Sequence, residues 1–250
     1  ETAKGFFIFT EKIKDLPVKP KAVKCQITGP VTLATSVSDS EGKAIFYNED
    51  VRDAVVKLVA LKAGWQVRRL SEFKVPVIIF FDEAALAGFG SSAFIGISPH
   101  EVVVCFEEVI DAVHKEGGLA GIHVCSNADW SVILESSADI VSFDAYSYFD
   151  KFILYSDHIR KFIESGRMIA WGIIPTLRPE DIEKENADSL LENWQKKAKM
   201  LEPLGFDLRA VLSQSFITPS CGTGSLGIDL ATKVLSLTRE VSQILRKELF

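Results

Sequence analysis

The sequence predicts an α/β protein, a (β/α)8 (TIM) barrel whose first strands are absent from the chain. Three observations carry this. Short apolar runs alternate with longer amphipathic stretches over nearly the whole chain, the pattern of parallel strands joined by helices. The 250 residues match the usual size of one such barrel. Side chains able to do chemistry collect just after the apolar runs, where a barrel builds its site. The chain reads as one domain over residues 1–250, with no internal repeat, low-complexity segment or shift of composition. Six strands are legible, so a closed barrel needs two more. Because the chain opens on Glu1 rather than Met, these are expected upstream. An open doubly wound sheet is the competing arrangement, disfavoured because no Gly-x-Gly-x-x-Gly follows a strand.

The elements follow from local pattern. Residues 1–15 carry Phe6, Phe7, Phe9 and Ile13 among charges, predicting a helix that ends before Pro17. Ala22–Thr28 is a strand closed by Gly29-Pro30, itself readable as a simple turn. Over Glu49–Leu70, Val51, Val55, Leu58, Val59 and Ala63 recur at helical spacing behind a candidate N-cap, Asn48. Val75–Phe81 is a continuous apolar run, as expected of a strand covered on both faces, and ends at Asp82-Glu83. Ser98 and Pro99 predict an N-cap and first turn of a helix running to about Lys115, stopped by Gly117-Gly118. The strand from Gly118 runs out to Cys125, and a short helix occupies Asp129–Ser136. Asp139–Phe143 is a strand ending at Asp144, Lys151–Glu164 a helix, and Met168–Ile174 a strand ended by Pro175. A charged helix spans residues 186–202, and Val211–Ile217 is the sixth strand, leading to Cys221. In the last helix Leu226, Leu230, Val234, Leu237, Val241 and Leu245 form a packing stripe.

Composition excludes several classes. The net charge is −6, with no basic cluster to meet phosphates, so no nucleic-acid partner is expected. No apolar run approaches the ~18 residues of a membrane span, and no signal peptide is visible. Four scattered cysteines in a chain of this length read as reduced thiols of a cytoplasmic protein rather than a disulfide scaffold. Cys105 lies in an apolar helical stretch and is expected in the core; Cys25 fits core or site.

The candidate site starts from His123 and Cys125, which alternate on one face of a strand and meet at its C-terminal end. Imidazole and thiol are both zinc ligands, though one His-x-Cys pair is weak by itself. It gains from the other strand ends, which carry Asp82 and Glu83, Asp144, and Cys221. Each has an ordinary alternative: His123 as a hydrogen-bonded core histidine, Asp82-Glu83 as a helix-terminal or salt-bridged pair, Asp144 as a support for a ligand. A Cys2His set leaves one exchangeable position, where a thiol loses its proton yet stays nucleophilic.

Five segments resemble the superfamily of cobalamin-independent methionine synthase, the corrinoid-dependent methyltransferases and uroporphyrinogen decarboxylase. They are Val23–Leu33 (VKCQITGPVTL), Phe81–Leu86 (FDEAAL), His123-Val124-Cys125, Ala138–Asp144 (ADIVSFD) and Pro219–Gly222 (PSCG), in the family's order. The resemblance implies a barrel with Zn2+ at its mouth, held by His123, Cys125 and Cys221, with Asp144 where the synthases have Glu. It puts Asp82 and Glu83 where the synthases hold the substrate's amino group and the methyl donor. Ala84 replaces a Pro of the family pattern, and Cys25 a Gly. The expected activity is methyl transfer to a small thiol such as homocysteine, from a methylfolate or a methylcobamide on a corrinoid protein. Two alternatives stay open: a metal-free decarboxylase-like or tetrapyrrole-binding protein, and a corrinoid-binding accessory protein that keeps zinc as a structural feature.

Overall fold

The structure is a computed structural model that describes residues 3–89 and 96–249. In chain order the elements are α1 (Lys4–Lys14), β1 (Val23–Thr28), α2 (Pro30–Ser36), α3 (Glu49–Leu70), β2 (Val77–Asp82), α4 (Pro99–Lys115), β3 (Leu119–Val124) and α5 (Trp130–Glu135). There follow β4 (Ile140–Phe143), α6 (Ala145–Phe152), α7 (Ser156–Glu164), β5 (Met168–Ile174), α8 (Pro179–Lys184), α9 (Ala187–Lys199), α10 (Leu208–Ser213), β6 (Ser215–Pro219) and α11 (Ile228–Leu249). The strands form one parallel sheet in the order β1-β2-β3-β4-β5-β6, curled into an open half-barrel. Strand order never reverses, so the sheet has no switch point of the doubly wound kind.

The caps follow the residues that predict them. Asn48 accepts from the Val51 N–H, and Ser98 and Glu101 form a reciprocal capping box. Asp129 accepts from the Ser131 N–H to cap α5, and Asn186 and Ser189 form a second capping box on α9. Gly117 and Gly166 take positive φ where their helices stop.

Alternation along each strand separates two faces. On the convex side Ile79, Phe81, Ile122, Val141, Phe143 and Trp171 join the helices in one continuous core. On the concave side Ile78, Phe80, Ile140 and Ala170 make a small separate cluster. Phe80 lies flat across Gly121, where an added Cβ would stand 2.5 Å from its ring. Gly172 admits a closer approach still: a Cβ there would meet the Phe143 carbonyl oxygen at 2.4 Å and the Ser220 Cα at 2.7 Å. That contact seats the loop after β6 against β4 and β5.

Several expected elements change. Residues 1 and 2 of the predicted first helix lie outside the described residues. Gly29-Pro30 opens α2 rather than a simple turn. Val211–Ser213 is helical, in α10 capped by Asp207, and the sixth strand begins only at Ser215. The helix expected from Lys151 starts at Ala145, is tightened at Ile153–Tyr155, and resumes as α7. In α3 the buried stripe is Val56, Val59, Ala63 and Val67, while Val51 and Leu58 are exposed. Apolar residues stand on both flanks of that helix, so spacing alone leaves its rotation open. Cys25 turns its side chain to the convex side and packs against the core, and Cys105 is buried in α4.

Candidate metal centre

Residues at the C-terminal ends of the strands, with the concave side chains beneath them, line a groove of about 530 Å3. Its walls include Lys24, Asp82, His123, Cys125, Thr218 and Cys221. A larger cavity, about 740 Å3, lies beside β6 between α10 and α11, lined by no histidine or cysteine.

His123 enters from the last turn of the pleat in β3. Its register partner on β4 is Ser142, and Nδ1 lies 3.0 Å from the Ser142 Oγ. With Nδ1 engaged, Nε2 is the nitrogen available to a neighbour or a metal. Cys125 follows two residues later on the same side. Cys221 arrives from β6, with β4 and β5 between the two strands in the sheet. Cys125, His123 and the Gly222 N–H are its polar neighbours there. These contacts hold Cys221 well below the usual thiol range, and Cys221 in turn pushes Cys125 up. Among the described residues, no three His, Cys, Asp or Glu side chains are gathered in an arrangement that holds a metal ion. The three donors line one groove. Their chemistry fits zinc: two thiols, one of them lowered by its neighbours, and an imidazole oriented through Nδ1 with Nε2 free to face a metal.

The two acidic neighbours part company. Asp82 ends β2 on the concave side and lines the groove, where burial raises its carboxyl against the pull of His123 and Lys24. Glu83 is fully buried and points the other way. It accepts from the Val31 N–H at 3.0 Å, the Thr32 N–H at 2.8 Å and the Thr32 hydroxyl at 2.6 Å. It thus satisfies the first turn of α2, and burial pushes its carboxyl up to about 7. Gly29 makes room for it, since a Cβ there would stand 2.2 Å from Oε1.

Asp144 is also turned to local duty. Its side chain accepts from the Ser147 N–H at 2.8 Å, capping α6. It lines a smaller neighbouring cavity with Tyr146, Thr176 and Ser220 rather than the groove. It still stands close enough to Cys125 to raise that thiol. The structure thus puts His123, Cys125, Cys221 and Asp82 on the wall of one groove without gathering three of them as metal ligands, and leaves Glu83 and Asp144 behind the walls.

Lining residues that escaped the sequence reading include Lys24, Gln26, Phe80, Ser142, Thr218 and Leu235. Ser142 was findable, because it shares the strand-end face two residues before Asp144 and pairs with His123 once β3 and β4 are placed in register. Thr218 carries a buried hydroxyl with no hydrogen-bond partner among the described residues. No protein-family model matches the chain, and no curated protein matches it. Among the described residues no helix is long and apolar enough to cross a membrane.

Proposed function

We propose that this chain is a zinc-dependent methyltransferase that places a methyl group on a small thiol of the homocysteine type. In this reading the six βα units belong to a (β/α)8 barrel, and His123, Cys125 and Cys221 hold the metal. The donor is a methylfolate or a methylcorrinoid on a partner protein. The observation that carries the reading is that two cysteines and an oriented histidine, from β3 and the loops after β3 and β6, line one groove. Zinc bound by such a set supplies an exchangeable position at which a thiol gives up its proton and remains nucleophilic.

The chain's own residues supply the rest. Ser142 fixes the imidazole, and the Gly222 N–H favours the Cys221 thiolate. Asp82 takes the substrate's amino group at the rim. Glu83 and Asp144 are positioning residues, acting through the first turns of α2 and α6. Reconstituted under reducing conditions, the protein is expected to hold about one zinc per chain by elemental analysis. His123→Ala and Cys221→Ser are expected to lose it while circular dichroism stays unchanged. Methyl transfer to homocysteine is then assayed with methylcobalamin and with methyltetrahydrofolate. A protein that takes up no zinc overturns the reading.

The ungathered donors favour a second reading, a metal-free protein that holds a carboxylated tetrapyrrole. A Soret-band shift on mixing zinc-free protein with a porphyrin carboxylate tests it.

A further inference from the structure

Three of the four tryptophans, Trp130, Trp171 and Trp194, have no exposed surface, whereas Trp65 on α3 is 36 % exposed. Leu58 and Leu61 share its stripe on the helix and are 59 % and 70 % exposed. That stripe lies opposite the buried one of Val56, Val59, Ala63 and Val67. Phe6 and Phe7 of α1 meet the Trp65 ring at 5.0 and 6.4 Å between centroids, and Phe7 and Ile8 carry the exposed apolar surface onward. Surface apolar side chains normally stand singly. Here more than half of the large exposed ones among the described residues fall within residues 7–18 and 51–65. Closing a barrel does not cover the α3 stripe. This helix already has a neighbour on each flank: α4, joined through Lys57–Glu108 and Arg68–Glu116, and α1. Added βα units join the sheet at its free edges, β1 and β6.

The rim of this face is basic. α3 has no Asp or Glu after Asp53, and Lys62 and Arg69 stand exposed beside the stripe. α1 adds Lys4, Lys12 and Lys14 against a single acid, Glu11, in a chain whose net charge is −6. Aromatic and leucine side chains ringed by lysine are the make-up of a helix that lies in the interface of an anionic bilayer. We infer that the α1–α3 face is a membrane-surface site for anionic phospholipid: Trp65, Leu61, Phe7 and Ile8 enter the headgroup layer, and the basic side chains meet the phosphates. The chain lies on the bilayer rather than crossing it. A second copy fits this face poorly, because a two-fold contact sets the basic rim against itself. A protein partner fits poorly too, because protein interfaces are depleted in lysine, the commonest cation of this rim.

Trp65 makes the test site-specific, because the other tryptophans are buried. The protein is mixed with vesicles of phosphatidylcholine, with and without phosphatidylglycerol, and followed by tryptophan emission and co-sedimentation. Anionic vesicles are expected to bind it at least ~10-fold more tightly, and less tightly as salt rises. On them the emission shifts to the blue and brominated phosphatidylcholine quenches it. Trp65→Phe, which keeps the patch apolar, is expected to sediment as before without the shift. Leu61→Glu and the double variant Lys62→Glu/Arg69→Glu alter exposed side chains, so circular dichroism stays unchanged, and each is expected to weaken binding by ~10-fold or more. No binding to either vesicle, equal binding to both, no quenching on anionic vesicles, or binding that survives Leu61→Glu overturns the inference. A blue shift that needs no lipid, grows with protein concentration and is lost in Leu61→Glu also overturns it, and assigns the face to contact between two copies.

Discussion

The two faces of the sheet are made by the same strands and end up unlike. On the convex face Ile79, Phe81, Ile122, Phe143 and Trp171 have no exposed surface; Phe143 stacks on Phe152 and Trp171 on Phe149, and Trp194 meets Trp171 edge-on. The concave face has only a four-residue buried cluster beneath Lys24, Gln26, Asp82, His123 and Ser142. Each strand therefore devotes alternate residues to stability and to chemistry. One face can tolerate polar, partly unmatched groups because the other supplies most of the buried apolar area.

The largest test of this contrast is a pair of aromatic deletions. Trp171→Ala removes a fully buried ring and the 2.9 Å bond from its Nε1 to the Ser215 hydroxyl. It is expected to cost about 4 kcal/mol in chemical denaturation. Phe80→Ala opens onto a groove that water can fill, and about 1–2 kcal/mol is expected. Equal costs would mean that the two faces share the load.

Glu83 gives the next effect, because it belongs to the walls rather than the groove. Its carboxyl rises from 4.5 to about 7, so between those values the folded state holds a proton that the unfolded chain releases. Stability from this group is therefore greatest below pH 4.5 and falls as pH rises to about 7, by about 3 kcal/mol in all. Denaturation midpoints across that window should slope downward in the parent protein relative to Glu83→Gln. A difference that stays flat would show that the buried carboxylate is not strained by burial.

The smallest effect on the fold is expected at the groove itself. Ser142→Ala removes the partner of His123 Nδ1 but no apolar packing, so stability should move by less than about 1 kcal/mol. Zinc affinity should fall by about tenfold or more, because the imidazole loses its orientation. Competition with a chromophoric chelator measures it; unchanged affinity would mean that Ser142 does not position the ligand.

The contrast also marks what was legible in advance. The alternation of strands and helices, the six strand positions and the caps at Asn48 and Ser98 rest on residues within a few positions of one another, and they were read from the chain. So was the strand-end address of His123, Cys125 and Cys221. The rotation of α3 was not, because Val51 and Leu58 fit one stripe as well as Val56 and Val67 fit another. The start of β6 was missed because Val211 and Leu212 suit a buried strand or a buried helix turn equally.

By itself the sequence determined the order of the strands and main helices, two of the helix caps, and which residues stand near the mouth, since periodicity, capping and side-chain alternation are local properties. Only the tertiary structure decided how those residues divide. Asp82 and Glu83 are adjacent in the chain, yet a strand end sends one into the groove and the other under α2, whose unpaired N–H groups needed an acceptor. Asp144 went to the first turn of α6 for the same reason. Cys221 met Cys125 and His123 because Gly172 lets the loop after β6 come down on the neighbouring backbone, a contact between residues 48 positions apart. Such choices depend on which distant backbone needs a partner, and that need exists only once the sheet has formed.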